Sequence, residues 1–187
     1  MDCANAMVRE EGLRLAIDLD GCLANFTHAY ADLLIKVSGK DLLPEGWRTS
    51  PDFPKEWFWE RAAGYSKEVE QEVWDKYILR GGRFWGNLKH LSGAGRTVKQ
   101  LYILSYTGHE VYFISDRVGE KAKLQTEYWL AKLGMQFPTV ILSGDKVPIV
   151  RALKANVFID DKSSTVLDCA MAAQEEGWKD FHLFLKA

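Results

Sequence analysis

Leu13-Arg14-Leu15-Ala16-Ile17-Asp18-Leu19-Asp20-Gly21 is the stretch on which the reading of this chain turns. Its apolar opening is dense enough for a buried strand, most simply the central strand of a parallel sheet. Two carboxylates follow, Asp18 and Asp20, two residues apart. While the backbone stays extended, side chains at i and i+2 share one face. Two acids on one face at a strand end repel unless a cation or a proton lies between them. Gly21 then permits a sharp turn close to whatever binds there. Taken alone, the nine residues could equally be a strand and a solvated Asp-Gly turn.

Working outward, the chain divides into two kinds of pattern. Phe26, Tyr30, Leu33, Leu34 and Val37 fall at helical spacing, and Ser38-Gly39 stops that helix. Asp41 to Pro54 is a loop. A short helix is expected over Lys55 to Ala63, carrying Trp57, Phe58 and Trp59. Another starts at Ser66, with Val69, Val73, Trp74 and Tyr77 on one face, and ends at Gly81-Gly82. From there strands and helices alternate: a helix over Gly95–Thr107, a strand Glu110–Ser115, a helix Glu120–Leu133, a strand Thr139–Leu142, a helix Lys146–Lys154, a strand Asn156–Asp160, a helix capped by Ser163 or Ser164 and ending near Gly177, and a strand Phe181–Leu185. This alternation predicts an α/β fold: a doubly wound parallel sheet, Rossmann-like, with helices on both faces. Residues 25–90 hold no convincing strand and are expected to be a small helical cap inserted after the first strand; 1–24 and 91–187 form the core.

Composition narrows the class. The 187 residues are 47% hydrophobic and 27% charged, as in a globular chain with a real core, and the net charge is −2. No basic field points to nucleic acid. No apolar run approaches the ~20 residues of a membrane span. Met1 to Gly12 is polar and is expected to be a loosely held end, without the apolar region of a secretory signal. Cys3, Cys22 and Cys169 have no metal-ligand spacing and read as free thiols in a reducing cytoplasm. The four histidines do not cluster, which argues against zinc.

In an open parallel sheet, ligands bind beyond the carboxyl ends of the strands. Those ends carry Asp18 and Asp20; Ser115, Asp116 and Arg117; Ser143, Asp145 and Lys146; Asp160 and Asp161. Any one set is ordinary, since a polar residue must end a strand somewhere. Together they bring carboxylates, a hydroxyl and a lysine to one edge. Clustered carboxylates without histidine favour a hard cation, and Mg2+ suits phosphate chemistry. Such a cation screens an anionic nucleophile from an anionic phosphate. One carboxylate can then attack phosphorus while a second protonates the leaving oxygen.

Asp18-Leu-Asp20-Gly21, the Ile-Ser115 strand end, Gly144-Asp-Lys146 and Phe158-Ile-Asp160-Asp161 resemble, in order, the four motifs of the haloacid dehalogenase superfamily. The resemblance spans about residues 13–165 and implies a role for each matching position. Asp18 would be nucleophile and metal ligand. Asp20 would be acid/base, with its backbone carbonyl on the metal. Ser115, with Asp116 beside it, would bind the phosphoryl group, and Lys146 would stabilise it. Asp161 would complete the metal site, with Asp160 in support. The dehalogenases of that superfamily generally lack an acid where Asp20 stands, so an acid there implies phosphate ester hydrolysis. Asp18 through Phe26, then Phe84-Trp85-Gly-Asn-Leu-Lys, then Trp129-Leu130, are similar to the 5′(3′)-deoxyribonucleotidase branch and its phage relatives. Phe26 stands at the distance from Asp18 of an aromatic that stacks on the base there, and Phe84 and Trp85 match a cap pair. The Ser115-Asp116-Arg117 end departs from that branch's usual Thr-Ser-Pro type.

The expectation is therefore a cytoplasmic, Mg2+-dependent phosphatase of a small phosphomonoester, a nucleoside monophosphate first, with Phe26, Phe84, Trp85 and Arg117 against the substrate. A sugar phosphatase, a nucleic-acid-end phosphatase and a catalytically silent nucleotide-binding module are the alternatives. The mild negative charge argues against a nucleic-acid partner. Homo-oligomerisation is left open.

Overall fold

The computed structural model describes residues 12–50, 53–54, 58–80 and 82–186. The expected loose end up to residue 11, Cys3, Trp57 with the first turn of its helix, and Gly81 lie outside the described residues. Five parallel strands form one sheet: β1 (Arg14–Ile17), β2 (Glu110–Ser115), β3 (Thr139–Leu142), β4 (Val157–Asp160) and β5 (His182–Leu185), in the order β3-β2-β1-β4-β5. The short apolar run 13–17 is central because both its faces are covered. Ile17 joins one core with Val111, Phe113 and Val140; its neighbour Ala16 joins the other with Ile114 and Phe158. Alternate side chains of a strand point to opposite faces, which is why consecutive residues serve different cores.

Helices cover both faces. α4 (Ala94–Tyr106) and α5 (Ala122–Lys132) bring Val98, Leu101, Trp129 and Leu130 to the first core. α6 (Val147–Leu153) and α7 (Ser163–Glu176) bring Val150 and Cys169 to the second. Register decides what meets at the sheet's carboxyl edge. Ile17 lies opposite Phe113 on one side and Ile159 on the other, so Asp18, just past β1, falls level with Asp160 and one residue short of Ser115.

Between β1 and α4 the described residues form helices and no strand. α1 (Phe26–Ser38) starts at Asn25, whose side chain accepts from the His28 N–H, and stops at Gly39 in the left-handed conformation. α2 (Trp59–Ala62) is a single turn. α3 (Lys67–Glu72) is capped by Ser66, whose hydroxyl accepts from the Val69 N–H. The chain leaves and rejoins the core side by side: Ala24 bridges His90, and the Asn25 N–H donates to the Lys89 carbonyl at 2.8 Å. The returning segment is fastened to the core again by two indole N–H groups. Trp85 donates to the Val118 carbonyl at 2.9 Å and Trp129 to the Leu88 carbonyl at 2.8 Å.

Two local expectations are corrected. After α3 the helix widens to a π-helix over Val73–Leu79, so its wholly buried residues are Val73 and Ile78, five apart, rather than a face shared by Val73, Trp74 and Tyr77. Trp74 and Tyr77 are only half-buried. Neither Ser163 nor Ser164 caps α7. Both fall in its first turn, while Asp160 Oδ1 accepts from the Lys162 N–H at 2.8 Å just ahead of it.

Candidate active site

Four strand ends meet around a cavity of about 210 Å3 whose lining includes Asp18, Asp20, Ser115, Lys146, Asp160 and Asp161. Lys146 stands at the start of α6, where the chain leaves β3. Its Nζ donates to Asp18 Oδ1 and to Asp160 Oδ2, each at 2.6 Å. Asp160 is wholly buried, and both its oxygens are occupied, one by Lys146 and one by the Lys162 N–H. Asp161, next along, keeps its carboxylate for the cavity. Its Oδ2 lies where Gly21 has no side chain: a Cβ on Gly21 would stand 1.8 Å from it. Gly21 also holds φ +87°, a value side chains disfavour, so the glycine is needed twice over.

At the cavity four carboxylates (Asp18, Asp20, Asp160, Asp161) meet Lys146, while Arg117, covered behind the lining, pairs with Asp20 from outside; two negative charges are left over. Asp116 and Lys162, exposed at the rim, add one of each sign. Burial, and after it the neighbouring carboxylates, shows in the titration of these acids. Burial, with the charges of Asp160 and Asp20 and against the pull of Lys146, holds Asp18 well above the usual carboxylate range. Burial and then Asp160 push Asp161 up to about 6. Burial alone would lower Lys146, but Asp18 and Asp160 overcome it and keep the ammonium charged.

Ligand atoms of Asp18, Cys22 and Asp161 lie within 4.8 Å of one another. The Cys22 thiol is buried and pushed up by that burial and by Asp18, Asp161 and Asp160, so it stays protonated and offers no thiolate. What remains is an oxygen-donor set with two uncompensated negative charges, and that fits a hard divalent cation.

The remaining expected residues fall in different places. Asp116 lines the cavity, its carboxylate against Gly144, where a Cβ would meet Asp116 Oδ1 at 2.8 Å. Phe26 and Trp85 line it as well, with rings near-parallel at 5.7 Å. Phe26 is also near-parallel to Tyr30 at 5.5 Å, so it serves the aromatic core as much as the cavity. Phe84 lies edge-on to Phe26 at 6.1 Å and lines a neighbouring cavity instead. Arg117 is corrected outright: its side chain has no exposure, and it reaches Asp20 rather than a substrate. Trp74, which helical spacing assigns to a core face, packs against the core and also lines both the Asp18 cavity and an aromatic one beside it of about 490 Å3. The π-helix that turns it there has no signature in a 3.6-residue pattern.

No family model matches the sequence, and no curated protein does. Solved structures do. A hydrolase from Streptococcus pneumoniae superposes with a TM-score of 0.52 at 12% identity, over 95% of this chain and 94% of that one. A haloacid dehalogenase-like family hydrolase from the same organism gives 0.55 at 12%, over 92% and 94%. YfnB of Bacillus subtilis, described as a HAD-hydrolase bound to magnesium, gives 0.53 at 14%, over 95% and 96%. The chain has the haloacid dehalogenase-like fold. At such identities the likeness is one of fold, and the chemistry rests on the residues.

The burial of Asp161 beside Asp160 has a measurable consequence. Asp161 titrates near 6 in the folded chain against 3.8 ordinarily, so the native state holds the proton more tightly than the unfolded one. Its contribution to stability is then lost as pH rises through that window. The metal-free Asp161→Asn protein is expected to resist urea better than wild type at pH 7.5, with the advantage shrinking towards pH 4. Urea melts in chelator at the two pH values check this; an advantage independent of pH would contradict it.

Proposed function

We propose that this chain is a Mg2+-dependent phosphomonoester hydrolase working through an aspartyl phosphate on Asp18, with nucleoside monophosphates as its first substrate class. The observation that carries the reading is the convergence of Asp18, Asp20, Ser115, Lys146 and Asp161 on one cavity from four separate strand ends. In the reaction, an Asp18 carboxylate oxygen attacks phosphorus. The ester oxygen leaves and takes a proton from the Asp20 carboxyl. Water then loses a proton to Asp20, attacks phosphorus and frees Asp18 and inorganic phosphate. Lys146, held between Asp18 and Asp160, keeps positive charge beside the oxygen that attacks. The Ser115 hydroxyl lies 3.2 Å from Asp20 Oδ2, close enough to turn to a phosphoryl oxygen instead. Asp18, Asp161 and the main-chain carbonyl of Asp20 would hold Mg2+, which when bound neutralises charge between carboxylate and phosphate. An exposed carboxylate such as Asp116 repels a phosphate, so at that position the main-chain N–H is the group suited to it.

The helical insert supports a planar leaving group. Phe26, Trp74 and Trp85 line the catalytic cavity, and the cavity beside it shares Gly21, Phe26, Thr27, Trp74 and Asp161 with it. That second space adds Tyr30, Phe53, Phe58 and Trp59. A phosphate site alone holds all phosphomonoesters alike; aromatic faces beside it favour a base.

Asp18→Asn, nearly unchanged in size, is expected to fold and to lose phosphate release by several orders of magnitude. Phosphate assays on the folded variant, and on wild type in excess chelator, check this; full activity in either would end the phosphatase reading. Base-on-aromatic stacking is worth about 1–3 kcal/mol. Phe26→Ala is therefore expected to lower kcat/KM for nucleoside monophosphates by about 5- to 150-fold and to affect a sugar phosphate much less. Equal losses on both substrates in the folded variant would assign Phe26 to the aromatic core and remove the nucleotide preference.

A further inference from the structure

Asp20 is held from behind by a residue that cannot reach a substrate. Arg117 Nε donates to Asp20 Oδ2 at 2.8 Å and Nη2 to Asp20 Oδ1 at 2.9 Å, a two-pronged contact. The third nitrogen, Nη1, donates to Thr126 Oγ1 at 3.1 Å. That hydroxyl spends its own proton on the Ala122 carbonyl at 2.8 Å, so only its lone pairs face the guanidinium. The Arg117 carbon Cζ lies 5.1 Å from the Trp85 ring and 5.4 Å from the Trp129 ring, and both indoles are fixed by N–H bonds to main-chain carbonyls. The Arg117 side chain has no exposure, whereas that of Asp20 keeps 21%, on the cavity.

A buried guanidinium with a bond from each of its three nitrogens is an expensive way to gain stability, since apolar side chains of like volume do as well or better. What it does supply is geometry. A planar fork meets a carboxylate in one orientation only, so Arg117 fixes the plane of the Asp20 carboxyl and the direction of its lone pairs. Resting on the phosphatase reading above, we infer that Arg117 is a positioning residue: it acts through Asp20, setting that carboxyl at the angle from which its proton reaches the leaving oxygen. Thr126 and the two indoles hold the fork in turn.

The test compares leaving groups. A nitrophenolate departs without a proton; an alkoxide needs one. Arg117→Lys keeps the charge but presents a single point rather than a fork. In the folded variant kcat/KM for an alkyl phosphate is expected to fall about 100-fold, the scale of a 1 Å misplacement, and to fall at least ten-fold less for nitrophenyl phosphate. Guanidinium ion added to folded Arg117→Ala is expected to restore alkyl phosphate turnover selectively. Thr126→Val, which keeps volume and removes the acceptor of Nη1 together with the hydroxyl's bond to the Ala122 carbonyl, is expected to shift the two substrates in the same sense by less, and carries the test if both Arg117 variants unfold. Equal losses on the two substrates, or none, would overturn the positioning role while leaving the phosphatase reading intact. Wild-type protein that released phosphate from neither substrate would overturn both.

Discussion

The Lys146 ammonium, 2.6 Å from Asp18 on one side and 2.6 Å from Asp160 on the other, is the contact on which the rest of the arrangement depends. Each partner is under one-tenth exposed, so an unpaired charge at any of the three would be destabilising by several kcal/mol. The contact requires β1 to lie directly beside β4, and it requires the chain leaving β3 to turn back across the sheet's edge. The order β3-β2-β1-β4-β5 satisfies both, because the chain builds outward from β1 on one side and then on the other. The place where that direction reverses is where the acids gather.

One lysine cannot neutralise two buried aspartates, and a third acid, Asp161, stands beside them. Arg117 removes Asp20 from this excess by binding it separately. On the proposed mechanism the site divides into a nucleophile side around Lys146 and an acid side around Arg117. The helical insert meets the second through the Trp85 ring over Arg117. Phe26 and Trp74 line the cavity from the insert's side.

Much of this was legible in the sequence, for local reasons. The bounds of β2 and β3 coincide with the expected Glu110–Ser115 and Thr139–Leu142, because short apolar runs stopped by polar residues have few other readings. The glycines after α1 and α7 mark real stops. Asp18 and Asp20 share an edge because strand geometry leaves no other choice. What was not legible depends on partners far along the chain. Arg117 reads as a substrate contact because an arginine beside a phosphate site usually is one; its partner lies 97 residues earlier, and only the fold shows that the pair is covered. The π-helix over Val73–Leu79 breaks the period from which helix faces are read, so the spacing shows the packing of Trp74 against the core but not its place on the cavity. Asp160 in place of a serine ahead of α7 reflects an acid already held in position by Lys146.

The central claim is that Asp18 carries the phosphoryl group during turnover. Acid quenching of the protein at work on a phosphomonoester labelled with radioactive phosphate, followed by digestion, measures this directly. The account expects label bound to the peptide that contains Asp18, released by hydroxylamine as an acyl phosphate is. Steady phosphate release with no label on the protein, or with label on a different residue, would contradict it.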